Sequence, residues 1–142
     1  MKTMLARLCI AAVLAAASFT VCAREAVPIV DYLDNAILTS SGKALTADQV
    51  KNAIVAGATA RGWQTTKGTK GDELQATLHV RGKHTVVVTI TYSAQAYSIQ
   101  YQSSTNMKYS HAADTNVRVI HPFYNRWVSE LREGIRTELS RI

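Results

Sequence analysis

Three successive segments between Leu74 and Gln102 alternate apolar and polar residues with a period of two, the pattern of strands with one buried face. The apolar set is Leu74, Ala76, Leu78 and Val80 in the first, Val86, Val88, Ile90 and Tyr92 in the second, and Tyr97, Ile99 and Tyr101 in the third. Antiparallel pairing with apolar opposite apolar predicts Val80 against Val86, Leu78 against Val88, Ala76 against Ile90 and Leu74 against Tyr92. That register leaves the loop Gly82-Lys83-His84, with Gly82 free to take a positive φ. The next hairpin pairs Tyr92 with Tyr97, Ile90 with Ile99 and Val88 with Tyr101, across Ser93-Ala94-Gln95-Ala96. Trp63–Lys67 reads as a strand ahead of these three, completing a four-stranded meander.

Helical spacing flanks the meander on both sides. Thr46-Ala47-Asp48-Gln49 is a capping-box pattern, followed by Val50, Ala53, Ile54, Gly57 and Ala58 on one stripe, with Gly62 as the stop. At the other end Pro122 is placed at a first helical position. Phe123, Trp127, Leu131, Ile135, Leu139 and Ile142 form an apolar stripe there, with Tyr124 and Val128 beside it. Arg126–Glu130 and Glu133–Arg136 are spaced to pair on the outer side. The chain thus predicts a two-layer α+β domain over residues 46–142, in the order α-β-β-β-β-α, with both helices on one sheet face. Residues 24–45 read as an N-terminal arm, one piece of which is apolar enough for an edge strand, and Ser103–Val119 reads as a polar loop.

Residues 1–23 have the build of an export signal: Lys2 and Arg7, an apolar run from Leu8 to Phe19, then Val21-Cys22-Ala23. Cleavage after Ala23 predicts a periplasmic protein; lipid attachment at Cys22 is the alternative, with Val21 and Phe19 at positions where a lipidation signal has a small residue and a leucine. Both cysteines, Cys9 and Cys22, lie in this segment, so the remaining chain offers no disulfide and no thiolate. The segment also carries two of the cations behind the formal charge of +6. The rest are dispersed, without the basic stripe of a nucleic-acid binder. No run of the mature chain has the length and apolarity of a transmembrane helix.

Ser41-Gly42-Lys43-Ala44-Leu45-Thr46, Ala60-Arg61-Gly62-Trp63, the Tyr101–Tyr109 segment and Ile120-His121-Pro122-Phe123-Tyr124-Asn125-Arg126-Trp127-Val128 together resemble a family of small exported proteobacterial proteins. The resemblance spans most of residues 41–142. It implies export, and for many family members a lipid anchor, but names no chemistry.

The chemistry-bearing residues point away from catalysis. His79, His84, His111 and His121 have no partner at metal-ligand spacing, the carboxylates fall in caps, loops and outer helix faces, and no serine stands in a Gly-x-Ser-x-Gly elbow. No cofactor, metal site or enzymatic activity is therefore expected. Two binding surfaces remain. One is the polar sheet face of Gln75, Thr77, His79, Arg81, Thr85, Thr89, Thr91, Ser98, Gln100 and Gln102, suited to docking an envelope protein or cell-wall component. The other is an aromatic junction of Tyr97, Tyr101, Tyr109, Tyr124 and Trp127, suited to a small ligand held between the last helix and the sheet.

Overall fold

Two sheets and two helices form the domain in the computed structural model, which describes residues 23–142. The chain order is β1 (Val27–Pro28), β2 (Tyr32–Ala36), α1 (Ala47–Ala60), β3 (Gln64–Lys67), β4 (Glu73–Val80), β5 (His84–Tyr92), β6 (Ala96–Thr105), β7 (Ser110–His111), β8 (Arg118–Ile120) and α2 (Phe123–Ser140). Residues 1–22 of the export segment, Cys22 among them, lie outside the described residues. Among the described residues no helix is long and apolar enough to cross a membrane.

The α+β class and the antiparallel pairing are as the sequence predicts, but the sheet is larger. It has five strands in the order β2-β6-β5-β4-β3, because the arm contributes β2 against the free edge of β6. A second, three-stranded sheet, β1-β8-β7, forms from the arm and from the stretch expected to be a loop. The simple α-β-β-β-β-α order is corrected accordingly: two strands precede α1 and two short ones precede α2.

Register follows the apolar pattern only up to shifts of two. The β5–β6 pairing is the predicted one, with Tyr92 opposite Tyr97, Ile90 opposite Ile99 and Val88 opposite Tyr101. A bulge between Val87 and Val88 then lets β6 continue to Thr105. In the β4–β5 hairpin, Leu78 faces Val86, Ala76 faces Val88 and Leu74 faces Ile90, two residues away from the expected pairing. A two-residue slip leaves every side chain on its own face, so burial does not discriminate between the registers. The turn is Arg81-Gly82-Lys83, with φ of +53° at Arg81 and +64° at Gly82.

α1 starts where Thr46 and Gln49 cap each other. Gln49 N–H donates to Thr46 Oγ1 at 3.2 Å and Thr46 N–H donates to Gln49 Oε1 at 2.9 Å. It buries Val50, Ala53, Ile54, Gly57 and Ala58, the expected stripe. In α2 the buried row is Tyr124, Val128, Leu131, Gly134, Ile135 and Leu139. The stripe is rotated from the expected one: Phe123 and Trp127 sit half-buried on its shoulder, and Ile142 lies beyond the helix, exposed. Pro122 is the N-cap rather than the first helical residue, and no side chain caps this end.

Both helices cover the sheet face formed by Leu74, Ala76, Leu78, Val86, Val88, Ile90, Tyr92, Tyr97 and Ile99. The arm is fastened across both sheets. Asp31 accepts from Arg118 Nη2 at 2.6 Å and from the Tyr101 backbone N–H at 3.3 Å. Asn125 on α2 donates through Nδ2 to the Pro28 carbonyl and accepts at Oδ1 from the Val30 N–H, taking the place of a neighbouring strand.

Candidate functional site

The six residues singled out by sequence fall in three places. Tyr101 stacks on Tyr109 (centroids 4.5 Å apart, 10° between planes) and meets Tyr124 edge-on at 5.6 Å. Tyr97 lies elsewhere, beside Arg132 and Arg136 of α2. Trp127 and Arg81 come together in a groove. The aromatic junction is therefore not one pocket. Its tyrosine part is filled by its own rings, with Tyr124 completely buried beneath.

Arg81 is also displaced from its expected position. The strand alternation, carried through Arg81, puts it on the open polar sheet face. Because β4 ends at Val80 and Arg81 takes a left-handed φ, its side chain instead lines a groove at the hairpin end of the sheet.

That groove encloses about 250 Å3 between the β4–β5 turn and the first turns of α2. Phe123 and Trp127 sit one helical turn apart and form its aromatic wall, centroids 5.7 Å apart and planes tilted by 38°. His84 closes the sheet side at 6.4 Å from Trp127, with Val80 below. His84 Nδ1 bonds the Asn106 carbonyl at 2.8 Å; a carbonyl only accepts, so Nδ1 carries the proton and Nε2 is left for another partner.

The rim is cationic. Arg81 and Arg126 line it, and the Arg24 guanidinium stands 4.6 Å above the Phe123 ring centroid. Glu130 also lines it but is engaged by Arg126 Nε at 3.1 Å. Beside the rim, His121 has its pKa pushed below its ordinary 6.5, first by burial and then by Lys108, Arg24 and His84. Its Nδ1 accepts the Phe123 N–H, which also holds the ring neutral. The sequence signal for this wall was present in the i, i+4 spacing of Phe123 and Trp127. The contribution of His84 and Arg24 was not legible, since both reach the groove through tertiary contacts.

The carboxylates that are paired face arginines: Asp31 with Arg118, Glu130 with Arg126, Glu133 with Arg136 and Glu138 with Arg141. Among the described residues no group of three or more His, Cys, Asp or Glu is arranged to hold a metal ion.

No protein-family model matches this chain, and comparison with curated proteins and with solved structures likewise gives no match.

Proposed function

We propose that this chain is an exported, non-enzymatic binding module of the bacterial envelope, and that its groove receives an acidic segment of a partner protein. The observation that carries the reading is the meeting of Arg81 with Trp127 and Phe123 in one cleft, an aromatic wall under a cationic rim. Interfaces draw their energy from such aromatic and arginine anchors. The export part rests on residues 1–23 and on the resemblance to small exported proteins.

Volume and ring geometry select among ligands. About 250 Å3 is below the roughly 300–1,000 Å3 typical of small-molecule sites. The tilt between Phe123 and Trp127 offers a notch for a side chain rather than a flat platform for a sugar ring. The closed packing of Tyr101, Tyr109 and Tyr124 likewise favours docking over carriage of a ligand at that junction.

A photo-crosslinking residue at Glu130, in the protein's own host, tests this against the same residue at Gln100 on the open sheet face. The expected outcome is one protein adduct from position 130, lost on Arg81→Glu while the melting temperature is unchanged. Adducts from position 100 alone, glycan rather than protein adducts, or adducts insensitive to Arg81→Glu would overturn the reading.

A further inference from the structure

At the far end of α2, about 13 Å along the helix from Trp127, a second cleft of about 220 Å3 is lined by Asn35, Leu38, Tyr97, Arg132, Arg136 and Leu139 among others. The bulge in β2 creates it. Asp34 takes a φ of +48°, and the register shift between Tyr32 and Asn35 turns the Asn35 amide toward α2. Asn35 Nδ2 donates to the carbonyls of Tyr32 and Tyr97, both at 3.0 Å, which fixes Oδ1 as the atom that accepts from Arg132 Nε at 2.9 Å.

Arg132 is thereby held at two points. Its Nε is used by Asn35, and its guanidinium lies 4.8 Å from the centroid of the Tyr32 ring. The terminal Nη edge has no carboxylate partner among the described residues. Neighbouring Arg136 is paired with Glu133 at 3.4 Å, so Arg132 supplies the net charge of the cleft. Tyr97 is 4% exposed and lines the cleft. Burial raises its pKa, against the opposing pull of Arg132, so the phenol stays protonated and can donate. The remaining walls are aliphatic, and Leu38 is 72% exposed on the rim.

From this arrangement we infer that the cleft is a carboxylate-binding site: the Nη edge of Arg132 takes both oxygens, the Tyr97 hydroxyl donates to one, and a short aliphatic body lies on Leu38 and Leu139. A guanidinium edge matches a carboxylate in planar geometry. One uncompensated positive charge matches a monoanion. The site is independent of the groove at Trp127. The carboxylate can belong to a free short-chain acid or to the end of a polypeptide.

The test is an NMR titration of the exported form, from residue 24 onward, in three arms: sodium hexanoate, an acetylated dipeptide ending in leucine, and inorganic phosphate at equal ionic strength. Saturable shifts of the Arg132 Nε–H and of residues around Tyr97 are expected with hexanoate, the dipeptide or both, and the better arm identifies the source. Tyr97→Phe keeps the ring and is expected to weaken binding about tenfold. Arg132→Gln is expected to abolish it, and Arg132→Lys to recover only part. No saturable shift in either carboxylate arm would overturn the inference. So would phosphate binding as tightly, or an unchanged affinity in Tyr97→Phe with its fold intact by melting temperature.

Discussion

Gly57 of α1 and Gly134 of α2 meet backbone to backbone where the two helices cross. A Cβ added at Gly57 would stand 2.5 Å from the Ile135 nitrogen, and one at Gly134 would stand 2.6 Å from the Gly57 carbonyl oxygen. Both helices can therefore lie on one sheet face and still touch each other.

Alanine at either position gains helix propensity, about 0.5–1 kcal/mol, but places a methyl against main-chain atoms that cannot rotate away. Overpacking of this kind costs about 1–3 kcal/mol, so the clash dominates. Gly57→Ala and Gly134→Ala are expected to lower the urea midpoint, whereas Gly71→Ala, with nothing within 4 Å of its added Cβ, serves as a neutral reference. An unchanged midpoint in Gly57→Ala would show that the helices separate at no cost.

The Tyr124 hydroxyl is buried without a hydrogen-bond partner among the described residues, while its ring is packed against Tyr101. Burial drives its pKa well above 10.0, with Asp31 adding to the rise, so the phenol remains neutral. An unmade buried hydrogen bond is a net loss on folding. Tyr124→Phe is thus expected to stabilise the domain by about 1 kcal/mol, read by urea unfolding at constant m-value. A clear loss of stability would show that the hydroxyl is satisfied after all.

His121 makes stability depend on pH with a definite sign. Its pKa in the folded chain lies below 6.5. As pH falls through that ordinary value the unfolded chain takes up the proton first, so folding weakens, and the loss levels off once folded His121 also protonates. Above that range both states are neutral and the effect vanishes. Melting temperatures from pH 7.5 down to pH 5 are expected to fall more steeply for the native chain than for His121→Asn; parallel slopes would refute the assignment.

Much of the architecture was legible because the strands from Leu74 to Tyr101 alternate strictly and the stripe of α1 is uninterrupted. The register of β5 on β6 was readable from a short loop with Tyr92 and Tyr97 at its ends. That of β4 on β5 was not, since Leu78 is equally apolar opposite Val86 or Val88 and only the left-handed Arg81 decides. β1, β7 and β8 have two or three residues each, too few to show a period. Of the candidate site, Trp127 and Arg81 meet each other in the groove instead of lying with the tyrosines and on the open face, because the strand alternation does not carry through the left-handed Arg81. Arg132 escaped notice because what orients it, Asn35, lies 97 positions away.

The arm that begins the described chain has partners that come late in the sequence: Ile99 for Tyr32, Ile120 for Val27, and Asn125 for Val30. A chain delivered from its N-terminus presents these residues first and their partners last. β2 has no edge to join until β6 exists, and β1 none until α2 is about to form. Non-local closures of this kind slow folding. The last elements to arrive therefore complete the first, and neither sheet can close until almost the whole chain is present.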